Sequence, residues 1–128
     1  STDFFIRVLD VYPDGREYFV VEGAVNARAR DFAKIGRLYM NKGNWEGQQI
    51  VSEDWVRQST QFDNSEGAST GYQYQWWIPS ANGDFMAQGI LGQYIYVNPK
   101  KNLIIVRLGK NYGKVSWISS FLKMAAKY

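Results

Sequence analysis

With 128 residues, 15 lysines and arginines against 12 aspartates and glutamates, and a formal net charge of +3, the chain has the size of one compact domain or part of one. It contains no cysteine and no histidine, which excludes disulfides, thiolate chemistry and histidine-based nucleophilic catalysis, and leaves zinc without its usual ligands. The basic residues are dispersed, with Lys100-Lys101 the one basic doublet, so nothing points to nucleic acid, and no apolar run is long enough to span a membrane.

In chain order, residues 4–11 alternate loosely, Pro13-Asp14-Gly15 is a turn, and residues 17–21 read as the partner strand of a hairpin. Asn26 is placed to cap a helix over residues 27–41, with Ala29, Phe32, Ala33, Gly36 and Met40 near helical spacing and Lys42-Gly43 closing it. Residues 45–50, interrupted by Gly47, suggest a tight hairpin, and Ser52 caps a short helix through residue 59. Residues 61–70 are rich in Ser, Gly, Asn and Asp and read as loop. A strand over residues 72–78 and a turn over 79–84 lead into the most informative stretch, residues 84–112. There Gly89 and Gly92 flank Ile90-Leu91, Tyr94 to Val97 is β-branched and aromatic, Asn98-Pro99 turns, and residues 103–108 return as a strand. A closing helix over residues 114–127 carries a stripe of Val115, Ile118, Leu122 and Ala125. The fold class expected is α+β, an antiparallel sheet with packed helices.

This order resembles the carboxyl-terminal part of the class C β-lactamase and penicillin-binding-protein-like serine hydrolases, a superfamily that includes carboxylesterases and 6-aminohexanoate-dimer hydrolases. In the superfamily, a strand with a Lys-Thr-Gly or His-Thr-Gly type motif runs into glycines, a hydrophobic strand, a proline turn, a second strand and a helix. The segment GAVNARARDFAKIGRLYMNKG at residues 23–43 is similar to a superfamily helix, residues 49–56 to its continuation, and YQYQWW at residues 72–77 to the strand before that motif. The resemblance implies an antiparallel sheet completed by amino-terminal elements and an acyl-enzyme reaction on an ester or amide, with no cofactor and no metal.

It also implies what is missing. The superfamily nucleophile is a serine followed three residues later by a lysine whose neutral amine takes the hydroxyl proton, with a Tyr-x-Asn segment as a second relay. Both precede the region matched here. Ser120-Phe121-Leu122-Lys123 matches the first pattern literally but lies in the closing helix; Tyr39-Met40-Asn41 and Tyr96-Val97-Asn98 match the second but read as packing and turn residues.

By the resemblance, the motif falls on Asp84, Phe85 and Met86 as substrate-binding positions. Ala87 then follows as the backbone oxyanion donor, a role any residue but proline can fill. Asp84-Phe85-Met86 offers neither a cation nor a hydroxyl for a β-lactam carboxylate, which favours the esterase or aminohexanoate-oligomer branch. By the same resemblance Asn111 or Lys114, in a polar turn after the last strand, would meet a substrate carboxylate; the residues by themselves read first as a solvated turn and helix N-terminus. Asp31 and Glu53-Asp54 read as charges complementing helix dipoles.

Residues 1–128 are thus expected to be a single or partial domain that begins inside a longer hydrolase and is inactive alone. The expected partners are a small-molecule ester or amide and the amino-terminal segment of the same protein, with self-association where apolar surface is left uncovered. A different reading stays open, a non-catalytic binding module presenting Trp45, Trp55, Trp76 and Trp77. Nucleic-acid binding by a five-stranded barrel is weaker, because the aromatics are not interleaved with a basic stripe.

Overall fold

Three consecutive strands over residues 85–89, 93–98 and 103–107 set the centre of the fold. The computed structural model describes residues 28–63, 65–66 and 71–128, together with the backbone of four short strands before them. Those strands are β1 (Phe5–Ile6), β2 (Val8–Val11), β3 (Glu17–Phe19) and β4 (Val25–Asn26). β2 pairs with β3, the hairpin expected there, with a register shift between Val8 and Asp10, and β1 pairs with β4. The Pro13-Asp14-Gly15 turn lies outside the described residues.

The main sheet is an antiparallel meander of five strands. β7 (Tyr72–Gln73), β8 (Trp76–Trp77), β9 (Phe85–Gly89), β10 (Gln93–Asn98) and β11 (Leu103–Arg107) lie side by side in chain order. β10 is paired along its whole length on both sides, to β9 from Gln93–Gly89 to Val97–Phe85 and to β11 from Tyr94–Arg107 to Asn98–Leu103. Asn98 then caps a 3-10 turn at Pro99–Lys101, its side chain accepting from the Lys101 N–H at 3.1 Å. The reading of residues 84–112 and the α+β class both match this arrangement. The single strand over residues 72–78 does not: it is two two-residue strands folded back at Tyr74-Gln75, both left-handed (φ 47° and 74°). No glycine or asparagine marks that turn, which hid it from the pattern.

Alternation sends successive side chains to opposite faces, and each face has its own helix. Helix α1 (Ala29–Met40) covers Phe85, Ile95 and Val97 with Phe32, Ile35, Tyr39 and Met40. Helix α3 (Trp117–Ala126) covers Met86, Tyr94 and Tyr96 with Phe121 and Ala125. At the α1 contact a Cβ added to Gly36 would lie 3.0 Å from Val97 Cγ2 and 3.2 Å from Ile104 Cγ2, so the helix sits flush against the sheet. On the α3 face Phe121 meets Tyr94 at 5.2 Å and Tyr96 at 5.8 Å between ring centroids.

Helix boundaries shift for physical reasons. α1 begins after Arg28, which makes no side-chain cap, while Asn26 ends β4 and does not cap the helix. α2 (Glu53–Thr60) starts as expected, with Ser52 Oγ accepting from the Trp55 N–H at 3.2 Å. β5 (Asn44–Trp45) and β6 (Gln48–Gln49) form the hairpin expected around Gly47. α3 starts at Trp117 because Ser116 caps it, so Val115 lies before the helix and is exposed; the buried stripe is Phe121 and Ala125 flanked by Ile118 and Leu122. Of the four tryptophans in the binding-module reading, Trp76 is core, Trp45 is half-buried, and Trp55 and Trp77 are exposed.

Candidate active site

β9 changes character along its length. Its amino end has strands on both sides, but β8 pairs with it at one position, Trp77 to Met86. Beyond Met86, residues 87, 88 and 89 have a strand neighbour only in β10 among the described residues. A half-paired strand presents backbone N–H and C=O groups that no ladder consumes. The chain then turns through Ile90-Leu91-Gly92, with Ile90 74% exposed and Leu91 held left-handed at φ 61°. A bulky residue in that region marks a locally imposed conformation.

Asp84, Phe85 and Met86 precede this open edge, and their side chains are turned away from it. Phe85 is 2% exposed in the α1 core and Met86 1% exposed in the α3 core. Asp84, also 1% exposed, accepts from Ser80 Oγ at 2.6 Å and from the Tyr96 hydroxyl at 2.8 Å. Asn98 Nδ2 in turn donates to the Tyr96 oxygen at 3.2 Å. In this conformation the Phe85 and Met86 side chains are packed into the two helix cores and that of Asp84 is hydrogen-bonded within the chain. Both Asp84 oxygens are satisfied, as a buried carboxylate requires.

Burial pushes the Tyr96 hydroxyl up to about 12; the Asn98 donor works against the rise and the Asp84 carboxylate adds to it. Tyr96 is therefore a neutral donor to Asp84 at ordinary pH and not a proton acceptor, in keeping with the packing role read for Tyr96-Val97-Asn98. Beside it a cleft of about 230 Å³ is lined by Asn82, Asp84, Asn98, Lys100 and Leu122. In the other Tyr-x-Asn match, the Tyr39 ring packs tilted against Trp76 at 4.8 Å between centroids and Asn41 ends α1.

Ser120-x-x-Lys123 has no catalytic geometry. The Ser120 hydroxyl donates to the Ser116 carbonyl at 2.9 Å, and Lys123 is solvent-exposed, whereas a lysine base must be desolvated to lose its proton. Asp31 is paired with Lys34 at 2.9 Å and Asp54 with Arg57 at 2.6 Å, each carboxyl held below its usual range first by that hydrogen bond. Among the described residues no three His, Cys, Asp or Glu cluster to hold a metal.

Asn111 and Lys114 are both exposed in the loop between β11 and α3. The Asn111 carbonyl accepts from Arg107 Nη2 at 3.2 Å, leaving its side chain outward. Arg107 also donates to the Gly92 carbonyl, at 2.5 Å, and lies 4.0 Å over the Trp117 ring. Sequence reasoning missed this residue, since an arginine ending a strand carries no pattern that separates it from a solvated charge.

The comparisons with known proteins agree with the α+β fold. A family model described as Beta-lactamase matches residues 6–114. A 6-aminohexanoate-dimer hydrolase of Paenarthrobacter ureafaciens is 31% identical over 97 positions, covering 67% of this chain and 25% of that protein. A solved structure from Bacillus anthracis, described as a candidate 6-aminohexanoate-dimer hydrolase, superposes with a TM-score of 0.64 at 33% identity, covering 81% of this chain and 28% of the other. The chain thus spans about a quarter of the length of the curated relative it matches.

Proposed function

The chain belongs to the beta-lactamase family, and from that premise we propose that it is the carboxyl-terminal portion of a serine hydrolase that cleaves an ester or amide through an acyl-enzyme. In that reaction the serine oxygen adds to the substrate carbonyl carbon, the leaving alcohol or amine departs with a proton, and water then displaces the acyl group from the serine. The nucleophile and its lysine belong to the amino-terminal part of the protein. This chain contributes the Ala87 N–H as a donor to the carbonyl oxygen when it becomes an oxyanion, and Asn111 as a polar contact at the rim.

The observation that carries this reading is the match of the Beta-lactamase family model over residues 6–114. β8 leaves β9 at Met86, one residue before Ala87. A linear amide of an amino-alkanoic acid is the substrate class proposed, because both named relatives carry that substrate in their descriptions. The amino-terminal part is the proposed partner of the apolar groove between Ile35, Leu38, Trp45 and Ile50, about 410 Å³ in volume.

Intact-mass analysis before and after a fluorophosphonate probe tests the assignment. The 128-residue chain is expected to stay unlabelled and the full-length protein to gain one adduct. An adduct on the chain alone, or none on the full-length protein, sinks it.

A further inference from the structure

The exposed end of the sheet is tied together by one guanidinium. Arg107, the last residue of β11, donates through Nη1 to the Gly92 carbonyl and through Nη2 to the Asn111 carbonyl, and its Cζ lies 4.0 Å over the ring of Trp117. Those partners come from three segments: the turn after β9, the loop after β11 and the first residue of α3. Neighbouring contacts close the same junction. Gln93 and Gly109 exchange two hydrogen bonds, the Gly109 N–H to Gln93 Oε1 at 3.0 Å and the Gln93 side-chain amide to the Gly109 carbonyl. The indole N–H of Trp117 donates to the Tyr112 carbonyl at 2.6 Å. A Cβ at Gly92 or at Gly109 would collide with the Arg107 guanidinium, so both glycines leave the space that it fills.

From this we propose that Arg107 is a positioning residue for the hydrolysis assigned above: it fixes the turn at residues 90–92 and the loop at Asn111 relative to each other. The inference rests on that functional reading. A trans peptide points its C=O and N–H in opposite directions. By holding the Gly92 and Asn111 carbonyls inward, Arg107 therefore turns the Gln93 and Tyr112 N–H groups away from itself and sets the orientation of both backbone segments. Lysine cannot substitute: a point charge on a flexible stem lacks the fork that reaches two carbonyls while stacking on an indole. Displacement of substrate-positioning backbone by about 1 Å is enough to cost up to about a hundredfold in rate.

The test uses the full-length hydrolase with a p-nitrophenyl ester and a linear aminohexanoate amide as substrates. Arg107→Lys and Arg107→Ala are each expected to lower kcat by roughly ten- to a hundredfold with KM changed less than about twofold. Added guanidinium at millimolar concentration is expected to recover part of the loss in Arg107→Ala and none in Arg107→Lys. A kcat within about twofold of the parent in Arg107→Lys overturns the proposal. So does a loss that no guanidinium recovers and that follows a fall in melting temperature, since the role is then purely structural. An inactive parent enzyme overturns the hydrolase reading itself, and with it any reaction for Arg107 to position; an active parent with unaffected variants overturns only the role of Arg107.

Discussion

The two halves of β9 are one residue apart and do opposite work. In the amino half, Phe85 and Met86 are buried under different helices, and Asp84, just before the strand, is locked to Ser80 and Tyr96. In the carboxyl half, Ala87, Gln88 and Gly89 are half-exposed and flanked by β10 alone. A strand clamped at one end can offer its other end to a ligand in a fixed place without spending a loop's conformational entropy at each encounter. The rigidity is local, and the opening begins where β8 turns away.

The largest change that breaks this contrast is Phe85→Ala. Removing a ring packed against Trp76 at 5.0 Å and Tyr39 at 6.4 Å is expected to destabilise the chain by about 3–5 kcal/mol in urea denaturation. A loss under about 1 kcal/mol would mean that the amino half is not the anchor. Ala87→Pro probes the other half, because proline deletes one N–H at a position flanked by β10 alone. In the full-length hydrolase kcat should fall roughly 10²- to 10³-fold, worth about 2.7–4 kcal/mol. A large drop in melting temperature would place that N–H in the ladder instead.

Tyr96→Phe takes one donor from a buried carboxylate and should cost about 1–3 kcal/mol. The same residue gives a pH signature. Its folded value, about 12, lies above the ordinary tyrosine value of 10.0, so the folded state holds the proton that the unfolded state releases. The contribution is complete below pH 10 and is lost as pH rises towards about 12. Chemical denaturation across that range should show the slope, and Tyr96→Phe should flatten it. The smallest effect is expected at Gln88→Ala, within about 0.5 kcal/mol by the same measurement, as for a surface side chain with no special partner. A larger loss there would erase the distinction between the halves.

The residues that repeat a pattern were the ones that could be read. Tyr94 to Val97 is β-branched and aromatic, Leu103 to Val106 is an unbroken apolar run, and Asn98-Pro99 sits between them, so the hairpin is legible in the sequence. Ser52 was legible as a cap because its hydroxyl has one obvious use. What stayed hidden depends on tertiary neighbours. Asp84 looks like a free carboxylate until Tyr96, twelve positions later, is seen to reach it. Tyr74-Gln75 turns without a turn residue, and its Tyr74 ring packs at 5.1 Å on Trp55 in α2, a contact no local signal announces. Phe121 was overlooked because the stripe was drawn from Val115, one residue before the cap at Ser116. Half of the candidate site was therefore visible, as a strand and its glycines. The residues that fix it, Arg107 and Gln93, act through backbone carbonyls and amides that carry no sequence identity.

The flush seat of α1 at Gly36 also guards the strand order. A slip of β10 by one position would swing Tyr94 and Tyr96 to the side where Ile95 and Val97 now lie, and a Cβ at Gly36 would already come within 3.3 Å of Ile95 and 3.0 Å of Val97. No phenol fits in that gap. Along β10 the two helices thus act as gauges of different bore, α1 passing only branched aliphatics at Gly36 and α3 taking rings, and a slipped β10 is rejected by size before any hydrogen bond is counted.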